Sequence, residues 1–191
     1  MILDQIMAVI TISRHLGSLG SITAQKVADR LGYRMVGREL IDQAALRSGS
    51  PEVALAEIDE LNLLGVNPSA TAMQAYIEAV KSVVEELAGE GNVVIVGRGG
   101  QVILNDRPHV LRLLITAPLA LRAQRIAGRQ SIPISAARAQ VEASDRHRRL
   151  FLKRFYKIQW DDPDLYDLVI NTVHMDADEA TGIICQLALS R

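Results

Sequence analysis

The sequence predicts an α/β fold with three layers, in which helices cover both faces of a mostly parallel sheet of about five strands. Two observations lead to this prediction. Short apolar runs, as expected of strands buried on both faces, alternate along the 191 residues with segments of helical periodicity. Aromatic residues make up only 4% of a chain that is 49% hydrophobic, so Val, Ile, Leu and Ala must build the core, as in sheets covered by helices.

The chain opens with a strand, a glycine-rich turn and a helix. Residues 7–12 (MAVITI) form a nearly continuous apolar run, which predicts a buried strand. A turn rich in Gly and Ser follows at 13–21. Apolar residues then recur at helical spacing from Ile22 until Gly32, a residue suited to end a helix. This order is the beginning of a β–α–β unit, the building block of parallel sheets.

The later segments continue the alternation of strands and helices. The clearest helix spans 73–87, where apolar residues recur at steps of three and four. The other predicted elements are, in chain order, a strand at 33–36, a helix at 37–48, strands at 92–96 and 110–116, helices at 118–129 and 133–157, a strand at 168–171 and a helix at 176–189. Residues 49–68 hold breakers at their ends and acidic residues between them, which predicts an excursion with some helix. Because no repeat or linker divides the chain, we expect a single domain over 1–191.

The charge balance and the single cysteine exclude several classes of protein. A net charge of −1 argues against a nucleic-acid-coating protein and against a polybasic membrane anchor. Cys185 cannot form an internal disulfide or a cysteine metal cluster, and we expect a buried, small apolar residue. No apolar run reaches the ~18 residues of a membrane span, and the first residues lack the basic charge of a signal peptide. We therefore expect a cytoplasmic protein with no nucleic-acid or membrane partner; a homodimer remains possible.

The turn after the first strand is a candidate phosphate-binding loop. A strand that runs into a glycine loop and a helix points several backbone N–H groups at one place, and the helix dipole adds positive potential. The loop does not satisfy the full Walker pattern G-x-x-x-x-G-K-[ST]. Gly20 stands at the lysine position, and Ser21 follows where a Mg²⁺-binding hydroxyl is expected. Taken alone, this pattern leaves open an ordinary turn between a strand and a helix.

A longer stretch around this loop carries a family resemblance. Residues 10–41 (ITISRHLGSLGSITAQKVADRLGYRMVGRELI) resemble the start of the cytidylate-kinase-like family, a branch of the P-loop nucleoside monophosphate kinases. The pattern there is roughly I-T-I-S-R-x-x-G-S-G-G-R-x-I-A, then L-G and D-R-E-L-I; Leu19, Ser21 and Gly37 depart from it. Similar segments follow, in the same order and spacing, at 93–104, 110–126, 144–160 and 162–172, so the resemblance covers most of the chain.

The resemblance implies a P-loop NTPase-type fold and phosphoryl transfer from ATP, with Mg²⁺, to a nucleoside monophosphate, CMP or dCMP first. It also implies a core at 1–48 and 90–120, an acceptor-side excursion at 49–68 and a helical lid region at 121–157. Such a reaction requires positioning and cations more than covalent chemistry. The implied residues are Arg14, Gly17, Ser18, Gly20 and Ser21 for the ATP phosphates, with Ser21 also as a Mg²⁺ ligand; Arg38 and Arg98 for the acceptor; and Arg122, Arg125, Arg129, Arg146 and Arg148 for catalysis.

These residues also have ordinary structural interpretations. Arg98 could pair with a surface carboxylate at the end of a strand, and the arginines of the lid region could form a solvated basic face. Their density, with few acids beside them, would be repulsive unless they share an anion, which favours a phosphate site. His15 could contact phosphate, although a capping or exposed role fits as well. Asp162, which precedes a proline, indicates a turn or the start of a helix rather than a metal site.

Two features keep alternative functions open. The loop lacks the Walker lysine, as the loops of this family generally do, and this removes a point charge that follows the phosphates to the transition state, a loss of about 10² to 10³ in rate unless Arg14 or a lid arginine replaces it. Gly99 stands where cytidylate kinases have the Asp of G-R-D, so cytosine selectivity is not supported. The alternatives are a nucleotide-binding module that no longer transfers phosphate and a kinase for a small non-nucleotide acceptor.

Overall fold

Five parallel strands form one sheet at the centre of the molecule. The computed structural model describes residues 8–49, 53 and 67–190, apart from the side chains of Arg38, Ile41 and Asp42. The strands are β1 (Val9–Arg14), β2 (Arg34–Val36), β3 (Val93–Val96), β4 (Val110–Thr116) and β5 (Leu168–Asn171), in the order β2–β3–β1–β4–β5. Every neighbouring pair is parallel. The fold class predicted from the sequence is therefore confirmed.

Helices connect the strands and cover both faces of the sheet. They are α1 (Gly20–Leu31), α2 (Arg38–Ser48), α3 (Ala70–Glu90), α4 (Gly100–Ile103), α5 (Leu119–Gln130), α6 (Ile134–Tyr156) and α7 (Ala177–Leu189), with a 3₁₀ turn at Pro163–Leu165. None of the helices in the described ranges is long and apolar enough to cross a membrane. Most of the predicted acceptor-side excursion at 49–68 lies outside the described residues.

Each face of the sheet has its own apolar core. On one face, side chains of α3 such as Tyr76 and Val84 pack with Ile95 of β3. On the other face, Val27 of α1 packs with strand residues and with α7. Cys185 of α7 is buried in this second core, as expected from the sequence.

The central strand β1 lies between β3 and β4, and this position creates the crevice of the fold. Ile12 is in register with Val96 of β3 and with Leu113 of β4. From β1 the chain continues to β2 and β3, which lie on one side of β1 in the sheet, and it then crosses to β4 on the other side. The connections therefore diverge at the carboxyl ends of these strands. In open α/β sheets ligands bind at such a divergence.

Three local differences from the predicted elements matter for the site. Strand β1 continues to Arg14, because its pairing with β4 extends to Arg14 opposite Ile115, so Ser13 and Arg14 do not belong to the turn. Helix α1 begins at Gly20, since Leu19 (φ 65°) is its N-cap residue. The short helix α4 was not predicted from the sequence.

Candidate active site

The loop between β1 and α1 presents a helix N-terminus at the carboxyl edge of the sheet. Gly17 (φ 81°) and Leu19 both adopt left-handed backbone conformations, and Ser18 N–H donates to the His15 carbonyl (3.2 Å). A leucine in this region costs roughly 1–2 kcal/mol. The first turn of α1 contains no acidic residue. Its N–H groups are therefore available to an anion without a competing carboxylate.

The side chain of Arg14 occupies the space beside the lysine position of the loop. A Cβ atom on Gly20 would lie 2.4 Å from Cβ and 3.0 Å from Cγ of Arg14. The other end of the same side chain reaches β3, where a Cβ on Gly97 would lie 2.7 Å from Nη1 of Arg14. Arg14 therefore passes across Gly20 with its aliphatic stem and brings its guanidinium beside Gly97.

A cleft of about 390 Å³ opens above the loop. Most of the residues predicted to bind ATP phosphates line it, together with arginines from α5 and α6: Arg14, Gly17, Gly20, Ser21, Arg125, Arg129 and Arg148. Ser18 is the exception among the loop residues, because its side chain is fully buried and its carbonyl accepts a hydrogen bond from Thr172 Oγ1 (3.0 Å). The cleft thus combines a helix N-terminus with several guanidinium groups, a combination suited to a polyphosphate.

A second, smaller pocket of about 50 Å³ lies at the end of β3. Its floor is the turn Gly97, Arg98 and Gly99, in which all three residues are left-handed, with φ of 78°, 59° and 73°. A left-handed arginine stores about 1–3 kcal/mol of strain, and such strain is concentrated at functional sites. The Gly97 N–H donates to the Ile12 carbonyl (3.0 Å), which ties the turn to the end of β1.

Arg14 and Arg148 line both pockets and so stand between them. Arg148 Nη1 donates to the Arg14 carbonyl (2.7 Å), and its guanidinium carbon lies 5.9 Å from the centre of the Trp160 ring. These contacts hold the Arg148 side chain beside Arg14, at the point where the loop cleft meets the pocket of β3. A group shared by two ligands, one in each pocket, would lie beside them.

Arg122 is placed differently from the other predicted catalytic arginines. Its guanidinium is buried and forms a two-pronged ion pair with Asp145 of α6 (3.1 and 2.8 Å). It also donates to the carbonyls of Ala117 (2.8 Å) and Leu16 (3.3 Å). Its backbone carbonyl would lie 2.7 Å from a Cβ on Gly17. These contacts join α5, α6 and the phosphate loop, and Arg122 does not line either pocket.

The remaining arginines predicted from the sequence occupy three situations. Arg125 lines the cleft and is anchored by hydrogen bonds to the Gly17 carbonyl (3.3 Å) and to both oxygens of Thr172 (3.0 and 2.8 Å). Arg129 also lines the cleft and is exposed. Arg146 is exposed and belongs to neither pocket. The side chain of Arg38 lies outside the described part of the chain.

An aromatic cluster beneath the arginines was not predicted from the sequence. The Trp160 ring packs against His15 at a centroid distance of 4.3 Å, and its Nε1 donates to Ser13 Oγ (2.9 Å). Tyr166 donates to the Trp160 carbonyl (2.8 Å). The cluster fixes the segment after α6 to the end of β1. The one signal in the sequence was that the only tryptophan of the chain ends a segment that resembles the family.

Burial changes the ionisation of two members of this cluster. Burial raises the pKa of the Tyr166 hydroxyl to about 12, so this group stays protonated at neutral pH. The pKa of His15 is lowered, mainly by burial and also by the nearby Arg122 guanidinium, although Asp145 and Asp161 oppose the shift. His15 Nε2 lies 3.4 Å from Asp161 Oδ1. A neutral imidazole is therefore favoured in the folded protein.

The site offers few ligands for a resident metal ion. In the described ranges no group of three or more His, Cys, Asp or Glu residues could hold a metal. Asp162 caps the 3₁₀ turn by accepting from Asp164 N–H (3.1 Å), in agreement with the helix start expected there. Ser21 is one of the residues that line the cleft. One hydroxyl fits Mg²⁺ that arrives with nucleotide phosphates, because Mg²⁺ keeps several waters and takes few protein ligands in such sites.

Comparisons with known proteins agree with this architecture. A solved structure of an uncharacterized protein from Eubacterium ventriosum is similar, with a TM-score of 0.76, 22% identity, and 96% of this chain and 99% of that chain covered. A gluconokinase from Sinorhizobium meliloti has a TM-score of 0.57 at 16% identity, with 98% and 97% covered. At these identities the likeness shows the fold alone.

Sequence relatives are more informative. The chain is 31% identical to the cytidylate kinase of Pyrococcus horikoshii over 178 residues, which cover 92% of this chain and 85% of the relative. It is 28% identical to the cytidylate kinase of Halobacterium salinarum over 176 residues, with 92% and 86% covered. The family model for the cytidylate kinase-like family matches residues 9–174. The chain therefore belongs to the cytidylate kinase-like family.

Proposed function

We propose that this protein is a nucleoside monophosphate kinase that transfers the γ-phosphoryl group of ATP to a monophosphate, with CMP and dCMP as the first candidate acceptors. The observation that carries the proposal is the pair of pockets on either side of Arg14 and Arg148. One pocket has the loop and helix N-terminus suited to a triphosphate, and the other has the left-handed turn of Arg98. The names of the relatives, which are cytidylate kinases, supply the acceptor class.

The reaction needs two phosphates in line. An oxygen of the acceptor monophosphate attacks the γ-phosphorus of ATP, and the bond from that phosphorus to the β–γ bridging oxygen breaks. The electron pair leaves with ADP, and the acceptor becomes a nucleoside diphosphate. Because the attacking oxygen is already ionised at neutral pH, the step needs no strong general base. The charges on the transferring group have to be balanced by fixed cations.

We assign a separate part of this reaction to each group of residues around the two pockets. We assign the backbone of residues 17–21, with Arg125 and Arg129, to the donor phosphates, because they line the cleft at the helix N-terminus. Arg98 binds the acceptor phosphate at the β3 turn, and Arg38 is assigned to the same group from the family resemblance. Arg148 stands between the pockets and contacts the transferring phosphoryl group. Residues 121–157 act as the lid that carries Arg125, Arg129 and Arg148.

Arg122, Arg125 and Arg129, which the sequence analysis assigned to catalysis, take other roles in this proposal, whereas Ser21 keeps its expected role. Arg122 is a positioning residue, since its hydrogen bonds go to Asp145 and to backbone carbonyls. Ser21 supplies a hydroxyl ligand for Mg²⁺, which, when bound, neutralises the charge of the phosphates. Arg146, exposed and outside both pockets, contributes only if the lid moves towards the nucleotides.

The β3 turn departs from the cytidylate-kinase pattern at the position of the aspartate near the base. A Cβ on Gly99 would lie 2.8 Å from the ring of Tyr156, so the aspartate of the G-R-D pattern does not fit at this position while the ring is there. We therefore propose a monophosphate acceptor and leave the selectivity for its base to experiment. Since ATP and nucleoside monophosphates meet in the cytoplasm, we propose that the protein acts in the cytoplasm, without a nucleic-acid or membrane partner. Size-exclusion chromatography would decide whether the chain forms a homodimer.

A coupled assay of ADP formation tests the proposal. Purified protein at micromolar concentration, with ATP and Mg²⁺, is supplied in turn with CMP, dCMP, UMP, AMP and GMP. We expect turnover with at least one of them, and loss of that turnover in Arg98→Ala but not in Arg138→Ala, a control at an exposed arginine paired with Glu142. Silence with every monophosphate while ATP still binds would overturn it in favour of a binding module. Turnover only with a small non-nucleotide acceptor, such as gluconate, would overturn the acceptor class.

A further inference from the structure

The phosphate loop differs from the Walker pattern at three positions, two of which meet in space. Counted along G-x-x-x-x-G-K-[ST], the first glycine is replaced by Arg14, the second by Leu19 and the lysine by Gly20, while Ser21 is retained. The side chain of Arg14 lies across Gly20. The absence of the lysine and the presence of the arginine are therefore a single structural feature.

The Arg14 side chain and a side chain at position 20 exclude each other. With Arg14 in place, a Cβ on Gly20 would lie 2.4 Å from Arg14 Cβ and 3.3 Å from Ile115 Cβ, so a lysine cannot occupy the position. Removal of the Arg14 side chain removes the closest contact, and we expect that a lysine then fits if the Ile115 side chain shifts by a few tenths of an ångström. Each of the two residues thus determines what the other can be.

The position of the second Walker glycine keeps a backbone conformation that favours glycine, although a leucine occupies it. Leu19 adopts φ 65°, the left-handed conformation for which a glycine is the ordinary residue, and its carbonyl accepts from Thr23 N–H at the start of α1 (2.9 Å). The helix N-terminus is therefore presented to the cleft even though the second Walker glycine is absent.

Arg14 brings a cation to the cleft from the opposite end of the loop. It lines the loop cleft and the β3 pocket, and Arg148 Nη1 holds its carbonyl (2.7 Å). A guanidinium can also donate two parallel hydrogen bonds to a phosphate, which an ammonium group cannot do in the same fixed geometry. The shared lining places this cation between donor and acceptor.

We propose that Arg14 and Gly20 are a reciprocal exchange, in which Arg14 supplies from the first position of the loop the positive charge that Walker loops supply from the lysine position. This inference deepens the proposed function and rests on it for the identity of the phosphates. Arg14 donates hydrogen bonds to the γ-phosphoryl group and forms no covalent bond with it. Gly20 is required because the stem of Arg14 crosses it.

The exchange can be reversed by design. The triple variant Arg14→Gly, Leu19→Gly, Gly20→Lys converts the loop to GHLGSGKS, which satisfies the full Walker pattern. Arg14→Met keeps the aliphatic stem against Gly20 and removes only the charge, and Gly20→Lys alone adds a lysine without making room for it. Arg138→Met, at an exposed surface arginine, is the matched control.

Three measurements on each variant test the inference: the melting temperature, the affinities for ATP and ADP with Mg²⁺ by calorimetry, and kcat with the best acceptor. For Arg14→Met we expect an unchanged melting temperature, an ATP affinity that falls at least tenfold more than the ADP affinity, and a kcat lowered about 10² to 10³. For Gly20→Lys alone we expect a lower melting temperature and weaker ATP binding. In the triple variant we expect ATP affinity within about tenfold of the parent and a kcat at least tenfold above that of Arg14→Met.

The inference is overturned if Arg14→Met binds ATP and ADP like the parent, or if a folded triple variant binds ATP no better than Arg14→Met. It is also overturned if Gly20→Lys alone is as stable and binds ATP as well as the parent. A parent protein that transfers phosphate to none of the acceptors would refute the proposed function, while the comparison of ATP with ADP would still decide the role of Arg14. Where the triple variant does not fold, the binding data for Arg14→Met decide.

Discussion

The buried ion pair between Arg122 and Asp145 gives the sharpest stability prediction. Both side chains are less than a tenth exposed, and both oxygens of Asp145 accept from the guanidinium. Asp145→Asn keeps the size of the side chain but leaves the Arg122 charge buried without its counter-charge. Breaking a buried pair in this way costs about 3–5 kcal/mol, because the remaining charge is not solvated. For a chain of this size, each kcal/mol lowers the melting temperature by roughly 2–4 °C, so we expect a fall of about 6–20 °C.

Thermal and urea unfolding of the purified variant measure this loss. The control is Glu142→Gln, which breaks the exposed pair with Arg138 on the same helix and should change the free energy of unfolding by less than about 0.5 kcal/mol. Replacing both partners by apolar residues, Arg122→Met with Asp145→Leu, should recover much of the loss. An Asp145→Asn variant within about 1 kcal/mol of the parent would refute the structural role that we give to this pair.

Three further predictions concern the same region. Folding lowers the pKa of His15, so the stability that this residue gives the folded protein is complete above the unfolded pKa of 6.5 and is lost as pH falls from 6.5 through the lower folded pKa. In urea titrations over that pH window, His15→Gln should therefore lose less stability than the parent. An identical pH profile for the two proteins would count against a buried neutral imidazole. Arg98→Gly should leave the free energy of unfolding within about 1 kcal/mol of the parent value, because glycine accepts φ 59°. The same variant should lower kcat/KM for the acceptor at least a hundredfold. Unchanged kinetics would show that Arg98 is not part of the site. Gly99→Ala should destabilise the protein by about 1–3 kcal/mol, since its Cβ would clash with the Tyr156 ring at a left-handed position, and a melting temperature equal to that of the parent would show that the ring moves aside freely.

The strands and helices could be predicted because apolar periodicity follows burial directly. The helix expected at 133–157 is α6 (Ile134–Tyr156), and the apolar run at 110–116 is β4 (Val110–Thr116). The errors were at the loop that matters most for function. Arg14 is in the strand rather than the turn, since pairing with Ile115 extends β1, and no local pattern reveals how far a parallel pairing continues.

The roles of the individual arginines could not be predicted from spacing. Arg122 and Arg125 lie one turn apart on α5, so both fit the same stripe. Their partners separate them: Asp145 of α6 neutralises Arg122, whereas Arg125 reaches Gly17 and Thr172 at the cleft. These contacts are between residues distant in the chain, and a single sequence carries no record of them. The assignment of the site residues therefore stays a prediction until variants are measured.

The sequence alone could not single out the residue that we propose compensates for the missing lysine. The pattern showed that Gly20 stands at the lysine position, and Arg14 was one of several arginines that could have replaced the charge. Only the packing of the Arg14 stem on Gly20 connects the two positions. The physical reason is that a glycine in the sequence can indicate that there is no room for a side chain, but it does not identify the neighbouring residue that fills the space.

The central claim, that two nucleotides meet between the loop cleft and the β3 pocket, is tested most directly by a bisubstrate ligand. Adenosine and cytidine joined by five phosphates would fill both pockets at once and place its middle phosphates beside Arg14 and Arg148. Calorimetry should find that this ligand binds at least a hundredfold more tightly than ATP, that both ATP and CMP displace it, and that Arg148→Met weakens it at least tenfold. Binding no tighter than that of ATP, with no displacement by CMP or by any other monophosphate, would contradict the account.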